Sequence, residues 1–562
     1  MSYFKSLYPI IFFGCLVFLV DSCRNKSLKK KLPEKDLVKR SGQMQERISE
    51  DLQKIVEYLK VKDGRLNDSV SIAYLSLLDS FYETNDYQPV WSKDAKWLAS
   101  GDSLYNFIEN SKDYGLFPAD YHFRPLAFIN RVFVADSLAK KNAVLWARSD
   151  ILLTDAFFTL VKHLKQGRFK YDSVTLRTDT VLKDEIYWRT LDTAIRSGGI
   201  RESLHQLEPK YPGYDSLKAQ IKNYLAKAVF SPYTYLYYPY QDSVRFFKSL
   251  QKRLQELGIL SGDIFDMDTT AFVKVLKRYQ RTHGLTITGR VSDQLVDNLN
   301  NTDWEKFKSI AINLDRYKLL PDSLPKTYAW VNLPAFTLRV VDDDTLVFQS
   351  KVIVGRPDAR TPLLTSEISN FVTFPQWTVP FSIIFKEMLP KIQENVEYLI
   401  KENLMVVDQN DSVLDPHKIK WERISRNHFP YVIKQQQGDD NSLGVIKFNF
   451  RNKYSVYIHD TNVRWLFGKS FRALSHGCVR LKEWKKLANF LLRSDSTGHQ
   501  ADSLKAWIGR QEKHTISGFP KLPVFIRYFT CESKNGKLKF YEDIYEEDRF
   551  LREKYFTGKT VN

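Results

Sequence analysis

Apolar residues change their spacing several times along the chain. From Leu7 to Val20 they run almost unbroken for 14 residues, short of the roughly 20 that a membrane-spanning helix needs. From about Gln45 a helical period takes over, with Ile48, Leu52, Ile55, Val56 and Leu59 on one stripe. Similar stretches recur to about residue 230, as at Ala143–Leu164, divided by turn-rich segments such as Phe117–Asp120, and predict a helical domain over 45–240. Residues 243–302 predict three short helices. The first is capped by Ser243, carries Val244, Phe247, Leu250, Leu254 and Leu257, and stops at Gly258. The second follows Asp268 with Ala271, Val275, Leu276 and Tyr279, and the third follows Ser292 with Leu295 and Leu299. A connecting helix is expected over 303–325. The period then falls to two. Ala335–Val340, the break Asp342–Asp344 and Thr345–Phe348 read as a hairpin, with further strands at Val352–Val354, Val445–Phe450, Tyr454–Ile458 and Val524–Phe529. A β-rich domain is expected over 326–548, interrupted at about 383–426 by a helical pattern (Glu387–Lys401) and followed by a tail, 549–562. The fold class is α+β multidomain.

Composition narrows the possibilities. The 562 residues are 43% apolar and 14% aromatic against 27% charged, enough to build several cores and too apolar for a disordered chain. The net charge of +18 points to an anionic partner. Residues 24–40 hold eight Lys/Arg and two acids and read as a solvated basic linker over 24–44, leaving about +12 elsewhere. No helix-turn-helix, arginine-rich groove or aromatic RNA-binding motif accompanies that charge, so nucleic acid is set aside. The four cysteines, Cys15, Cys23, Cys478 and Cys531, are too few for a disulfide framework or a multi-zinc protein. Residues 1–23 read as a signal peptide ending in Val20-Asp21-Ser22-Cys23, which resembles a bacterial lipobox although Val20 and Asp21 depart from its commonest form. The alternative is an uncleaved N-terminal anchor. Both export the chain, and the first makes Cys23 a lipidation site and the protein a lipid-anchored one facing the periplasm.

His122, His163 and His205 are scattered without ligand spacing. The chemistry concentrates in Ile458-His459-Asp460-Thr461 and Ser475-His476-Gly477-Cys478-Val479-Arg480. The thiolate is the attacking form of a cysteine, and a histidine within hydrogen-bond reach can take the thiol proton and later return it to a leaving amine. His459 lies 19 residues before Cys478 at the end of an expected strand, which suits two adjacent elements joined by a loop. Gly477 permits a tight turn ahead of the nucleophile, and backbone N–H groups at 476–478 are candidates for an oxyanion hole. Two other readings stand beside this one, a partial zinc site and a buried core thiol. Zinc needs four ligands, or three and water, and no second thiol is near in sequence. Cys531 reads as a core thiol.

These residues carry resemblances. Leu257-Gly258, Phe265-Asp266, Thr270, Tyr279-Gln280, His283-Gly284-Leu285 and Gly289–Val291 resemble the peptidoglycan-binding type 1 domain. A spacer that keeps this fold without binding glycan is the alternative. The His459/Ser475-to-Arg480 spacing resembles the signature of YkuD-type L,D-transpeptidases. Val354–Pro357, Thr361-Pro362, Pro375, Trp377–Pro380, Asn441–Gly444, Lys447-Phe448 and Tyr457 look like the larger YcbB-type branch, which joins a helical scaffold, a peptidoglycan-binding module and a catalytic domain with a capping insertion. The resemblance implies that Cys478 attacks the carbonyl after the third residue of a tetrapeptide stem, with His459 as general base. The thioester then passes to an amine on another stem, giving a 3→3 cross-link. It also implies that His476 and Gly477 supply backbone amides, that Ser475 orders the loop, and that Arg480 anchors the loop or a substrate carboxylate. Tyr457 and Trp377 are candidates for the cleft wall. Asp460 replaces a residue that is small in many members, leaving open whether a carbonyl or a carboxylate holds His459. Carbapenems are expected to acylate the thiol, and no metal or organic cofactor is required. L,D-carboxypeptidase action, D-amino-acid exchange, protein-to-wall attachment and a non-catalytic wall-binding lipoprotein remain open alternatives.

Overall fold

A computed structural model describes residues 35–169, 181–557 and 559. The signal peptide, the lipobox and Cys23 lie outside the described residues. The chain is α+β and multidomain: helices and two short strand pairs to residue 317, then a β-rich region. It divides into two compact units, residues up to 96 with 129–151, and 97–128 with 152 onward.

In the first unit, Met44–Val61 is a helix whose Ile48, Leu52, Ile55, Val56 and Leu59 are all fully buried. The described end of the expected solvated linker departs from that expectation. Val38 is buried, and Leu37 bridges to Asn142, whose side chain accepts the Asp36 N–H at 3.0 Å. An apolar residue beside an unpaired backbone segment gains more from docking than from solvation.

In the second unit the three expected module helices form, as Ser243–Glu256, Thr269–Thr282 and Asp293–Asn300. The first is capped by Asp242, whose carboxylate accepts from Arg245 N–H at 3.0 Å, and not by Ser243, its first helical residue. Its buried stripe is Phe246, Leu250 and Leu254, while Val244 and Leu257 are exposed. The Tyr240 ring stacks on Phe246 at 4.7 Å, and this cover on one side sets which face turns inward. The connecting helix spans Asp303–Tyr317 and is buried nearly all round. Phe307, Ile310 and Leu314 share a core with Trp330, Phe525, Phe529 and Cys531. The expected tail joins that core: Glu547–Tyr555 is a helix, with Leu551 and Phe556 buried.

The β-rich region is a closed barrel. Its strands run in the order Ile446–Phe450, Ile458–His459, Val479–Leu481, Thr345–Gly355, Thr337–Asp342, Tyr328–Asn332, Leu522–Arg527, Leu364–Thr373, and the last pairs back to the first. Closure leaves no free edge within the ring. The predicted hairpin turns at Asp343 and Asp344, both at positive φ, as a two-residue turn matched to strand twist requires. The strand expected over Tyr454–Ile458 shrinks to Ile458–His459. The Asn452 side chain bonds the backbone of Tyr454 and Val456, and Ser455 takes positive φ, which competes with ladder formation.

Between Leu364–Thr373 and Ile446–Phe450 the insertion builds its own small domain. The helical pattern expected over Glu387–Lys401 is broken: a wide π-type turn Ile384–Met388, then Leu389–Glu394 and Glu397–Lys401, the last started by Asn395 Oδ1. It is also not purely helical. Strands Val413–Leu414, Leu404–Val407, Val432–Gln435 and Trp377–Thr378 form a sheet, and Val379, Ile384, Ile392, Leu399, Val406 and Ile433 share its core.

Candidate active site

Alternation along three short strands builds the site. Ile446, Phe448, Ile458, Val479 and Leu481 point into the barrel core, so Lys447, Tyr457, His459, Cys478 and Arg480 share the outer face. Register sets them abreast: Lys447 lies opposite His459, and His459 opposite Arg480. Ile458 pairs with Val479 in a parallel ladder and Val479 N–H donates to the Tyr457 carbonyl at 3.0 Å, which sets Tyr457 beside Cys478.

Cys478 is half-buried and free, as is the buried Cys531. Burial pushes the Cys478 thiol up, against hydrogen bonds from the Tyr457 backbone and hydroxyl and the charges of Lys447 and Arg480. Burial likewise raises Tyr457, whose hydroxyl donates to Cys478 and accepts from the Trp377 side chain. The Tyr457 and His459 rings meet edge to face at 5.5 Å. His459 is buried, and its basicity is pushed down to about 3, first by burial and then by the Arg480 charge, with the Asp460 and Leu443 backbone pulling the other way. Its Nδ1 is buried without a hydrogen-bond partner. Burial thus works against the charged form of both the thiol and the imidazole.

Asp460 answers the question its identity raised. Its carboxylate accepts from Val445 N–H at 3.1 Å and from the Arg464 guanidinium, and Gly444, at φ +60, lies so close that a Cβ there would overlap it. The hydrogen-bonding groups that act on the His459 ring are the Asp460 and Leu443 backbone, not the Asp460 carboxylate.

The Ser475–Cys478 loop is pinned through its carbonyls. Arg356 N–H donates to Ser475 O at 2.9 Å, Thr361 Oγ1 to Gly477 O at 2.8 Å, and Ser475 Oγ to Cys478 O at 2.6 Å. Because a trans peptide sets N–H opposite the preceding C=O, the first two bonds turn the His476 and Cys478 N–H groups away from Arg356 and Thr361. The Gly477 N–H departs from the sequence expectation, since it donates to Ser475 Oγ at 3.2 Å. Gly477 sits at φ +117, where side-chain-bearing residues are rare.

The His476 ring turns outward. Its Nε2 meets Glu387 Oε1 on the insertion at 2.7 Å, and the same oxygen accepts from Arg356 at 2.7 Å. Burial raises the Glu387 carboxyl, but those hydrogen bonds outweigh it and hold it below the usual range. Lys447, Glu387 and Arg356 were not singled out as site residues from the sequence. The alternation of Ile446–Phe450 carried the signal for Lys447, whereas nothing local announces a Glu387 contact made across 89 residues.

Away from this cleft, His122 pairs with Asp155 at 2.7 Å, His163 with Tyr121 at 2.9 Å and His205 with Glu208 at 2.6 Å. Among the described residues no group of three or more His, Cys, Asp or Glu is placed to hold a metal ion, and no helix is long and apolar enough to cross a membrane.

Comparison with known families matches residues 76–221 to a scaffold domain, 246–299 to a "putative peptidoglycan binding domain" and 326–519 to an L,D-transpeptidase catalytic domain. A curated protein of Haemophilus influenzae, named "Putative L,D-transpeptidase", is 35% identical over 243 residues, covering 43% of this chain and 48% of that protein. The chain thus matches about half the length of this relative. Among solved structures, a cysteine-to-serine mutant of the Enterococcus faecium L,D-transpeptidase aligns at 11% identity over 36% of this chain and 50% of that one, with a TM-score of 0.16. An L,D-transpeptidase from Mycobacterium smegmatis aligns at 13% over 36% and 58%, with a TM-score of 0.16. Scores this low carry no weight for fold or function. The order of scaffold, peptidoglycan-binding and L,D-transpeptidase catalytic domains is that of the YcbB-type branch.

Proposed function

We propose that this chain, with the domain order of a YcbB-type L,D-transpeptidase, is a cell-envelope enzyme that cross-links peptidoglycan. The observation that carries the reading is the pairing of Cys478 and His459 on one face of adjacent strands, with Tyr457 donating to the sulfur. His459 takes the Cys478 proton, with Nδ1 as the unspent ring position, and Sγ attacks the carbonyl of the donor stem's third residue. The bond to the terminal D-alanine nitrogen breaks, His459 returns the proton to that amine, and a thioester remains. A side-chain amine of a second stem attacks the thioester, loses a proton to His459 and expels the thiolate, leaving a 3→3 cross-link. Each tetrahedral intermediate places negative charge on oxygen, which the Cys478 and His476 N–H groups receive. Ser475 and Gly477 shape that loop, and Asp460 holds the Val445 backbone beside it. Trp377, on the insertion, closes the cleft over Tyr457.

The three-helix module would hold glycan strands near the cleft, and lipid at Cys23 would keep the protein at the membrane. Carbapenems would acylate Cys478 as strained donor analogues. Mass spectrometry of disaccharide-tetrapeptide muropeptides after incubation with the enzyme tests the reading. The expected product is a 3→3 dimer. Tripeptides or exchanged stems without dimer would assign the same acyl-enzyme to trimming or exchange, and unchanged muropeptides would contradict the enzymatic reading.

A further inference from the structure

Lys447 and Arg480 flank His459 in one row across three strands. Both are half-buried cations, and a charge drawn partly out of water ordinarily has a partner. Among the described residues neither forms an ion pair with an acid, and burial lowers both, with Cys478 as the one titratable group that pulls them back up. Arg480 Nε is buried without a hydrogen-bond partner. Lys447 Nζ lies 4.1 Å from the centroid of the Tyr457 ring, a contact that orients an ammonium and leaves its hydrogen-bonding capacity unfilled. Other cations of this region behave differently: Arg464 is held by Asp460 and Arg356 by Glu387.

We propose that Lys447 and Arg480 form a carboxylate-binding subsite beside the nucleophile, which receives a carboxylate of the donor peptide and seats the scissile carbonyl over Cys478. The inference rests on the transpeptidase reading for the identity of the donor. A tetrapeptide stem offers two such groups close to the scissile bond, the C-terminal carboxylate of the leaving residue and the carboxylate on the third residue's side chain. Either would form charge-assisted hydrogen bonds with the ammonium and guanidinium.

The test separates binding from turnover. Calorimetry on the full chain carrying Cys478→Ala would use three peptides: the free-acid tetrapeptide, its C-terminal amide, and the peptide amidated at the third residue's side chain. The free acid is expected to bind about tenfold or more tightly than one or both amides, the scale of a charged hydrogen bond, and the amide that loses affinity identifies which carboxylate is read. Adding Lys447→Met should make the three peptides bind alike, and Lys447→Arg should restore the difference. Equal binding of all three peptides to the Cys478→Ala protein, no measurable binding of the free acid, or discrimination that survives Lys447→Met would overturn the proposal. A role confined to the thiol would show as discrimination intact and a raised midpoint for Cys478 alkylation in Lys447→Met, and would also overturn it. Absence of 3→3 product from the wild type would remove the transpeptidase reading, while the binding difference would stand or fall separately.

Discussion

Burial acts in opposite senses on the two groups of the thiol–imidazole pair. It raises Cys478 and lowers His459 to about 3. A free thiol ordinarily titrates near about 8.5, so the Cys478 alkylation rate with iodoacetamide should climb through pH 7–9 with no plateau near neutrality. A plateau below about pH 7 would mean a resting ion pair. Tyr457→Phe removes one donor to the sulfur and should move the profile to still higher pH. His459→Ala should leave alkylation at high pH nearly unchanged but slow acylation by a tetrapeptide donor by about 10²–10⁴-fold, the usual worth of a positioned general base. The His459 shift also bears on stability. Its folded pKa lies below the unfolded value of about 6.5, so the unfolded chain binds the extra proton between about 6.5 and 3 and stability falls as pH drops through that window. Gly444→Ala would force a Cβ onto the Asp460 carboxylate at a left-handed backbone, and should cost about 1–3 kcal/mol in denaturant unfolding.

At the scale of elements, Glu387 joins the insertion to the Cys478 loop by accepting from His476 and Arg356 at once. Glu387→Gln keeps the size and removes the charge. Hydrogen exchange over residues 377–435 should quicken, and the apparent KM for donor should rise severalfold with the Cys478 alkylation profile unchanged; an unaltered exchange pattern would show that the contact holds nothing. This element also marks where reading the sequence succeeds and fails. Alternation in Ile446–Phe450 and the 19-residue gap between His459 and Cys478 are legible in the sequence. Tyr457 and Arg480 come instead from the family resemblance, and the short strand Val479–Leu481, which sets Arg480 opposite His459, is not foreseen. The insertion reads as helix because its apolar residues are dense, and its sheet escapes notice because strands of two to four residues have too little length to declare a period. The lost strand at Tyr454–Val456 and the helix cap at Asp242 have a common cause: single side chains bonding nearby backbone override the apolar pattern.

Across the second unit, the connecting helix is tied in by buried charge. Arg168 Nε meets Asp315 Oδ2 at 2.7 Å, and Lys318 meets the other oxygen at 2.9 Å. Burial alone would raise Asp315, but the Arg168 and Lys318 charges hold it well below the usual carboxylate range. Arg168→Met should destabilise the protein by about 3–5 kcal/mol, the cost of leaving a buried partner unmatched, as read by denaturant unfolding. Donor acylation by the fraction that remains folded should be unchanged, since Arg168 lies outside the cleft. Of the net charge of +18 that first suggested an anionic partner, residues 24–40 carry six, and buried cations such as Arg168 and Lys318 are matched by an internal carboxylate.

The most direct measurement is intact-mass analysis of the purified chain after exposure to a tetrapeptide donor or a carbapenem. One covalent adduct is expected on the wild type, formed much more slowly with His459→Ala and absent with Cys478→Ala. No adduct on the wild type, or an equal adduct on Cys478→Ala, would contradict it.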